Sequence, residues 1–162
     1  MKKILIISTG GTFNKVYNPL NGTLEIDKNS YALEKLALKW LYDFKIINII
    51  GKDSLEITDK DRKILLDTIN QSDYTHIIIV HGTDTIDITA TYLAKNIVDK
   101  YLLLTGAMVP YSIDPIEATA NLASAYGYLQ AIDKEGIYIA MNGIINNYQK
   151  VKKDRKNGKF TS

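Results

Sequence analysis

The stretch HIIIVHGTDTIDITATYLAKNI, residues 76–97, decides the fold. It opens with an unbroken apolar run containing three isoleucines, as in a strand buried on both faces. A polar turn with a glycine, HGTDT (81–85), follows. Ile86, Ala90, Leu93, Ala94 and Ile97 then recur at helical spacing and form one apolar stripe. Strand, turn and helix in that order make one unit of a parallel sheet covered by helices.

The unit repeats outward in both directions. ILIIS (4–8), FKIINII (44–50), YLLLTG (101–106) and GIYIAM (136–141) are strand candidates of the same Ile-rich kind. Leu33, Leu36, Ala37, Trp40 and Leu41 form a helical stripe. Thr58 with Asp61 resembles a capping box, opening a helix through Ile64, Leu65 and Ile69. Asp114-Pro115-Ile116-Glu117 supplies an N-cap, a Pro at the first helical position and an acid at the third, opening a helix that runs to about Ile132. The pattern predicts an α/β fold: a three-layer, open, mainly parallel sheet with helices on both faces. FNKVYNPLNGTLEI (13–26) departs from it. Asn21-Gly22 is a strong hairpin-turn signal and predicts a flap over about 13–27, with Tyr17 near its tip.

Composition bounds the function. The chain has 162 residues, 46% hydrophobic and 23% charged, which fits one globular domain over 1–162. No apolar run approaches the roughly 18 residues that cross a bilayer, so no membrane partner is expected. The opening MKKILIISTGG is too short in its apolar part for a signal peptide and reads as a first strand. Cysteine is absent, and His76 and His81, five apart, are a poor zinc pair. A cytoplasmic location is expected. The net charge of +2 is uneven: residues 150–162 carry six Lys/Arg against one Asp, leaving the rest net negative. The body is therefore no nucleic-acid surface, and on composition the basic C-terminal segment reads as a frayed tail.

In open parallel sheets ligands bind beyond the carboxyl ends of the strands. Those ends carry TGGT (9–12), GKDSLE (51–56), HGTDT (81–85), TGAMVP (105–110) and MNG (141–143). Glycines let backbone N–H groups approach a ligand, and the hydroxyls and carboxylates offer specific contacts. The residues alone leave each turn open to a plain reading. TGGT lacks both the dinucleotide and the P-loop patterns, so it is either a simple turn or a site of chemistry. Thr83 or Asp84 either caps the following helix or marks a helix start that stabilises an anion. DSLE (53–56) is either a solvated loop or a hydroxyl between two carboxylates, and TGAMVP is either a loop before a helix or a ligand contact.

Taken together and in order, TGGT, DSLE, HGTDT, TGAMVP and IAMNG (139–143) resemble the bacterial-type L-asparaginase/glutaminase family over nearly the whole chain, and specifically its N-terminal domain. The chain is similar to short single-domain relatives that share the KVY stretch and a basic ending. The resemblance implies a cofactor-free amidohydrolase, without a metal, acting on L-asparagine or a related small carboxamide. Thr12 matches the nucleophile and Tyr17 the tyrosine that helps activate it. Ser54 matches the serine holding the substrate α-carboxylate. Thr83 and Asp84 match the second threonine and the aspartate that binds the α-amino group, and Lys153 matches the lysine partnering that threonine. The N–H groups of Gly11 and Thr83 would form the oxyanion hole, and the Ala107 carbonyl would hold the leaving amide. Leu55 stands where secreted members carry a glutamine that helps bind the amino group. The family completes its site with a glutamate from the second domain of a neighbouring subunit; Glu56 is the candidate substitute here. A homo-oligomer is expected, because the flap edge needs cover. The alternative is a non-catalytic amino-acid-binding module, or a subunit of a larger amidase, that has lost the second domain.

Overall fold

The structure is a computed structural model that describes residues 1–40, 42 and 44–162. Leu41, expected in the first helical stripe, lies outside the described residues. In chain order the elements are β1 (Ile4–Gly10), β2 (Lys15–Asn18), β3 (Thr23–Ile26), α1 (Tyr31–Trp40), β4 (Lys45–Lys52), α2 (Asp59–Gln71), β5 (His76–Val80), α3 (Ile86–Ala94), β6 (Tyr101–Thr105), α4 (Pro115–Ala131), β7 (Gly136–Met141), β8 (Ile144–Asn147), β9 (Lys152–Asp154) and β10 (Lys159–Thr161). Short 3₁₀ turns at Thr12–Asn14 and Ser54–Glu56 follow β1 and β4.

The main sheet has the order β4-β1-β5-β6-β7-β8; its first five strands are parallel and β8 runs antiparallel to β7. This is the α/β fold that the Ile-rich runs predict. Alternate residues of each strand go to opposite cores. Ile4, Ile6, Ile78, Val80 and Leu103 pack with Leu33, Leu36, Leu122 and Leu129 of α1 and α4. Leu5, Ile7, Ile77, Ile79, Leu102 and Leu104 pack with Leu65, Ile69, Ala90 and Leu93 of α2 and α3. The chain leaves β1 toward β4 on one side and returns to β5 on the other. That reversal opens a crevice at the carboxyl ends of β1 and β5, where ligands of such sheets sit.

Local signals hold where they are strong. Thr58 and Asp61 make the reciprocal capping box of α2, and the Asp114 side chain accepts from Ile116 N–H at the start of α4. The flap is real: β2 and β3 pair antiparallel around Asn21-Gly22. The third helix stops at Ala94, one turn before Ile97.

The basic C-terminal segment is not a frayed tail. β9 and β10 form a hairpin. Val151 and Phe160 beneath it are 2% and 3% exposed and join the α2–α3 core. Burying a Phe side chain stabilises by about 2–3 kcal/mol, enough to hold a short charged hairpin down. The Phe160 N–H also donates to Asn142 Oδ1 at 3.1 Å.

Candidate active site

The crevice is built by loops in backbone contact. Gly11 has φ +77°, and a Cβ there would lie 2.5 Å from the Gly82 nitrogen. A Cβ on Gly82 would lie 2.5 Å from the Cβ of Ser54. Glycine at these two positions therefore lets the turns after β1, β4 and β5 stack, and brings Thr12, Ser54 and Thr83 to one edge. Thr9 Oγ1 donates to the Val80 carbonyl at 3.0 Å, and buried Asn14 donates to Ser8 Oγ and the Gly10 carbonyl, both at 3.1 Å.

Thr12 is half-buried at the start of its 3₁₀ turn, and its hydroxyl has no hydrogen-bond partner among the described residues. No hydrogen bond joins it to Tyr17. Tyr17 is 62% exposed, and its hydroxyl lies 4.0 Å from a Cβ built on Gly22, over the turn of its own hairpin. The base of the flap is tied down instead: Lys15 Nζ pairs with Asp53 at 2.8 Å, and Ser112 Oγ donates to the Lys15 carbonyl at 2.7 Å.

Ser54 is 1% exposed, its Oγ accepts the Asp84 N–H at 3.2 Å, and its carbonyl accepts Thr85 Oγ1 at 2.8 Å. Neither Thr83 nor Asp84 caps α3; the N-cap position belongs to Thr85, whose side chain is committed to Ser54. Lys153 Nζ instead donates to Thr83 Oγ1 and to Asp84 Oδ1, both at 2.8 Å. The geometry thus brings Lys153, Thr83 and Asp84 into one cluster. Arg155, not singled out, also reaches Asp84 Oδ1, at 2.6 Å, and donates to its carbonyl at 2.8 Å. A cavity of about 480 Å³, lined by Thr83, Asp84, Tyr148, Lys153, Arg155 and Phe160 among others, lies beside this cluster; Thr12 and Ser54 lie outside it.

The backbone donors differ from expectation. The Gly11 N–H is given to the Lys52 carbonyl at 3.0 Å, because the end of β1 docks on the bulged end of β4. The N–H groups of Thr83 and of Thr12 itself have no partner among the described residues. Ala107 is fully buried, and its carbonyl likewise accepts nothing there. Its loop is fixed by two α4 residues that the sequence does not single out for the crevice. Glu117 accepts from the N–H groups of Met108 and Val109 at 3.0–3.1 Å, and Asn121 Nδ2 donates to the Gly106 carbonyl at 2.9 Å. Glu56 is exposed and lines the groove between the flap and β4, with Lys15 and Lys28.

His81 is structural. It is fully buried between the Gly82 carbonyl and Thr89 Oγ1, and burial pushes its pKa down to about 4. Among the described residues no group of His, Asp and Glu is placed to hold a metal ion, and no helix is long and apolar enough to cross a membrane.

The hydrogen bond from Lys153, with a smaller contribution from Arg155, holds the Asp84 carboxyl below its usual range; that from Lys15 does the same for Asp53. Both carboxylates titrate lower folded than unfolded. Their ion pairs therefore contribute stability above the unfolded carboxylate range, about pH 4, and lose it as pH falls through the folded values. A series of urea midpoints from pH 6 to 3 is expected to fall below about pH 4. Lys153→Met should flatten that limb; an unchanged limb would assign the acid loss elsewhere.

Known proteins share this sequence and fold. The asparaginase N-terminal domain family matches residues 3–159. L-asparaginase 2 of Bacillus subtilis (strain 168) is 28% identical over 148 residues, covering 84% of this chain and 39% of its own length. A glutaminase-asparaginase of Acinetobacter glutaminasificans is 27% identical over 161 residues, covering 88% and 46%. The thermostable L-asparaginase from Thermococcus kodakarensis superposes with a TM-score of 0.85 at 27% identity, over 100% of this chain and 51% of that one. The probable cytoplasmic L-asparaginase from Campylobacter jejuni gives 0.82 at 26%, over 100% and 53%. The chain spans less than half the length of these two curated relatives and about half of the two solved structures.

Proposed function

The chain belongs to the asparaginase family as its N-terminal domain, and on that premise we propose that it hydrolyses the amide of L-asparagine or a related small carboxamide to the acid and ammonia. The single observation that carries this reading is Lys153 donating to Thr83 beside a stacked Thr12 turn. Thr12 Oγ attacks the amide carbon, and the carbonyl π electrons move to oxygen. The N–H groups of Thr83 and Thr12 receive that oxyanion, each for about 3 kcal/mol. Collapse expels ammonia, whose added proton comes from the Thr12 hydroxyl through Thr83 and, on flap closure, Tyr17. Water then cleaves the Thr12 ester and returns the proton. An ammonium nitrogen has no lone pair, so Lys153 in this arrangement orients and polarises Thr83 rather than taking a proton. Ser54 and Asp84 hold the substrate's charged end, and the Ala107 carbonyl holds the leaving amide. No cofactor is part of this chemistry.

The same reading places a second copy of the chain over the flap edge, where Leu20, Leu24, Leu55, Ile113 and Ile116 are exposed. A cytoplasmic setting is carried over from the Campylobacter relative. A second reading, a binding module without turnover, is favoured by two observations: the Tyr17 hydroxyl lies over Gly22, and the Thr12 hydroxyl has no partner among the described residues. Ammonia release by the purified chain separates the two. Turnover of L-asparagine that Thr83→Val lowers supports the hydrolase. Tight aspartate binding with release no faster than in buffer replaces it with the binding module.

A further inference from the structure

Two carboxylates beside the crevice already have cations of their own. Asp84 Oδ1 receives Lys153 and Arg155 together, and Arg155 also grips the Asp84 carbonyl. Asp53 is paired with Lys15. Leu55 between them is apolar and 72% exposed, and Glu56 faces the flap groove. At Asp84, then, two cations face one carboxylate. A substrate ammonium arriving there finds only Asp84 Oδ2, which accepts no hydrogen bond among the described residues, and it meets a surplus of positive charge. It shares Asp84 with two cations that repel it, and Arg155 is the one that can move away. Its side chain is 62% exposed, whereas that of Lys153 is 16% exposed and also bonded to Thr83. An anionic carboxamide without an ammonium meets no such repulsion.

We infer that Arg155 sets the substrate class, favouring ω-monoamides of dicarboxylic acids that lack an α-amino group over α-amino-acid amides. This rests on the hydrolase reading of the same site and names its substrate. Arg155 acts here as a specificity residue whose charge at Asp84 repels a substrate ammonium. Its exposed ion pair is individually modest, so the discrimination it imposes is on the order of tenfold.

The test compares succinamate with L-asparagine as substrates, and succinate with L-aspartate as ligands in calorimetry, for the wild-type chain, Arg155→Gln and Arg155→Lys. Wild type is expected to prefer succinamate and succinate. Arg155→Gln is expected to shift both ratios about tenfold toward the amino acid, and Arg155→Lys less. Ratios equal in all three proteins overturn the inference and leave the hydrolase reading standing. Ammonia release from neither amide, with the binding ratio still shifted, overturns the hydrolase reading and upholds Arg155. Binding of neither ligand overturns both.

Discussion

Thr12→Ala is expected to lower ammonia release by at least about a thousandfold while leaving the fold intact. The size follows from the proposed role: losing the attacking atom removes the covalent route, and nucleophile deletions in enzymes of this kind cost at least that much. The fold should survive because the Thr12 hydroxyl has no hydrogen-bond partner among the described residues and the side chain is half-buried. The turn is held by its neighbours, through Thr9 to Val80, Asn14 to Ser8 and the Gly11–Gly82 contact. Single-turnover assays and a thermal melt on the same preparation separate the two effects. A variant that melts normally and still releases ammonia at a tenth of the wild-type rate removes Thr12 from the chemistry.

Lys153→Met is expected to lower kcat by about a hundredfold to a thousandfold, because Thr83, which passes on the Thr12 proton, loses the cation that orients and polarises it. Methionine keeps the length of the side chain and removes the donor to Thr83 Oγ1 and Asp84. Its hairpin is secured independently by Phe160 and Val151, so the melting temperature should move by only a few degrees. Thr83→Val should reproduce most of this loss, and the double variant should be little worse than either single one, because both act through one bond. Additive losses would place Lys153 and Thr83 in separate roles.

The sheet was legible because its strands announce themselves locally. Runs such as HIIIV and YLLLT have a composition that only a doubly buried strand requires, and Thr58/Asp61 and Asn21-Gly22 act within a few residues of themselves. The hairpin of β9 and β10 was not legible. Its strands are three residues long and mostly charged, and what holds them is the fit of Phe160 into a core made by α2 and α3. The threonine, serine and aspartate of the crevice could be placed at strand ends from the pattern of turns. Arg155, Glu117 and Asn121 could not, since each acts on backbone or carboxylate atoms that proximity in the chain does not reveal. The Gly11 donor failed for a related reason. Ile50, at φ 65°, and Gly51, at φ 67°, bend the end of β4 and deliver the Lys52 carbonyl to it; Gly51 permits such a bend, but nothing at 50–52 tells which donor that carbonyl meets.

The order of the sheet also governs how the crevice comes into being. β1 is flanked by β4 and β5, so its end is finished only after two long loops have closed, and Lys153 meets Thr83 across 70 positions of chain. Loop-closure entropy must be overcome before such distant contacts stabilise anything, and topologies rich in them refold slowly. Helices α2 and α4, with their own caps, are free to form early. During refolding, helical signal should therefore return well ahead of the Lys153–Thr83 contact, and the competent crevice is among the last features the chain acquires.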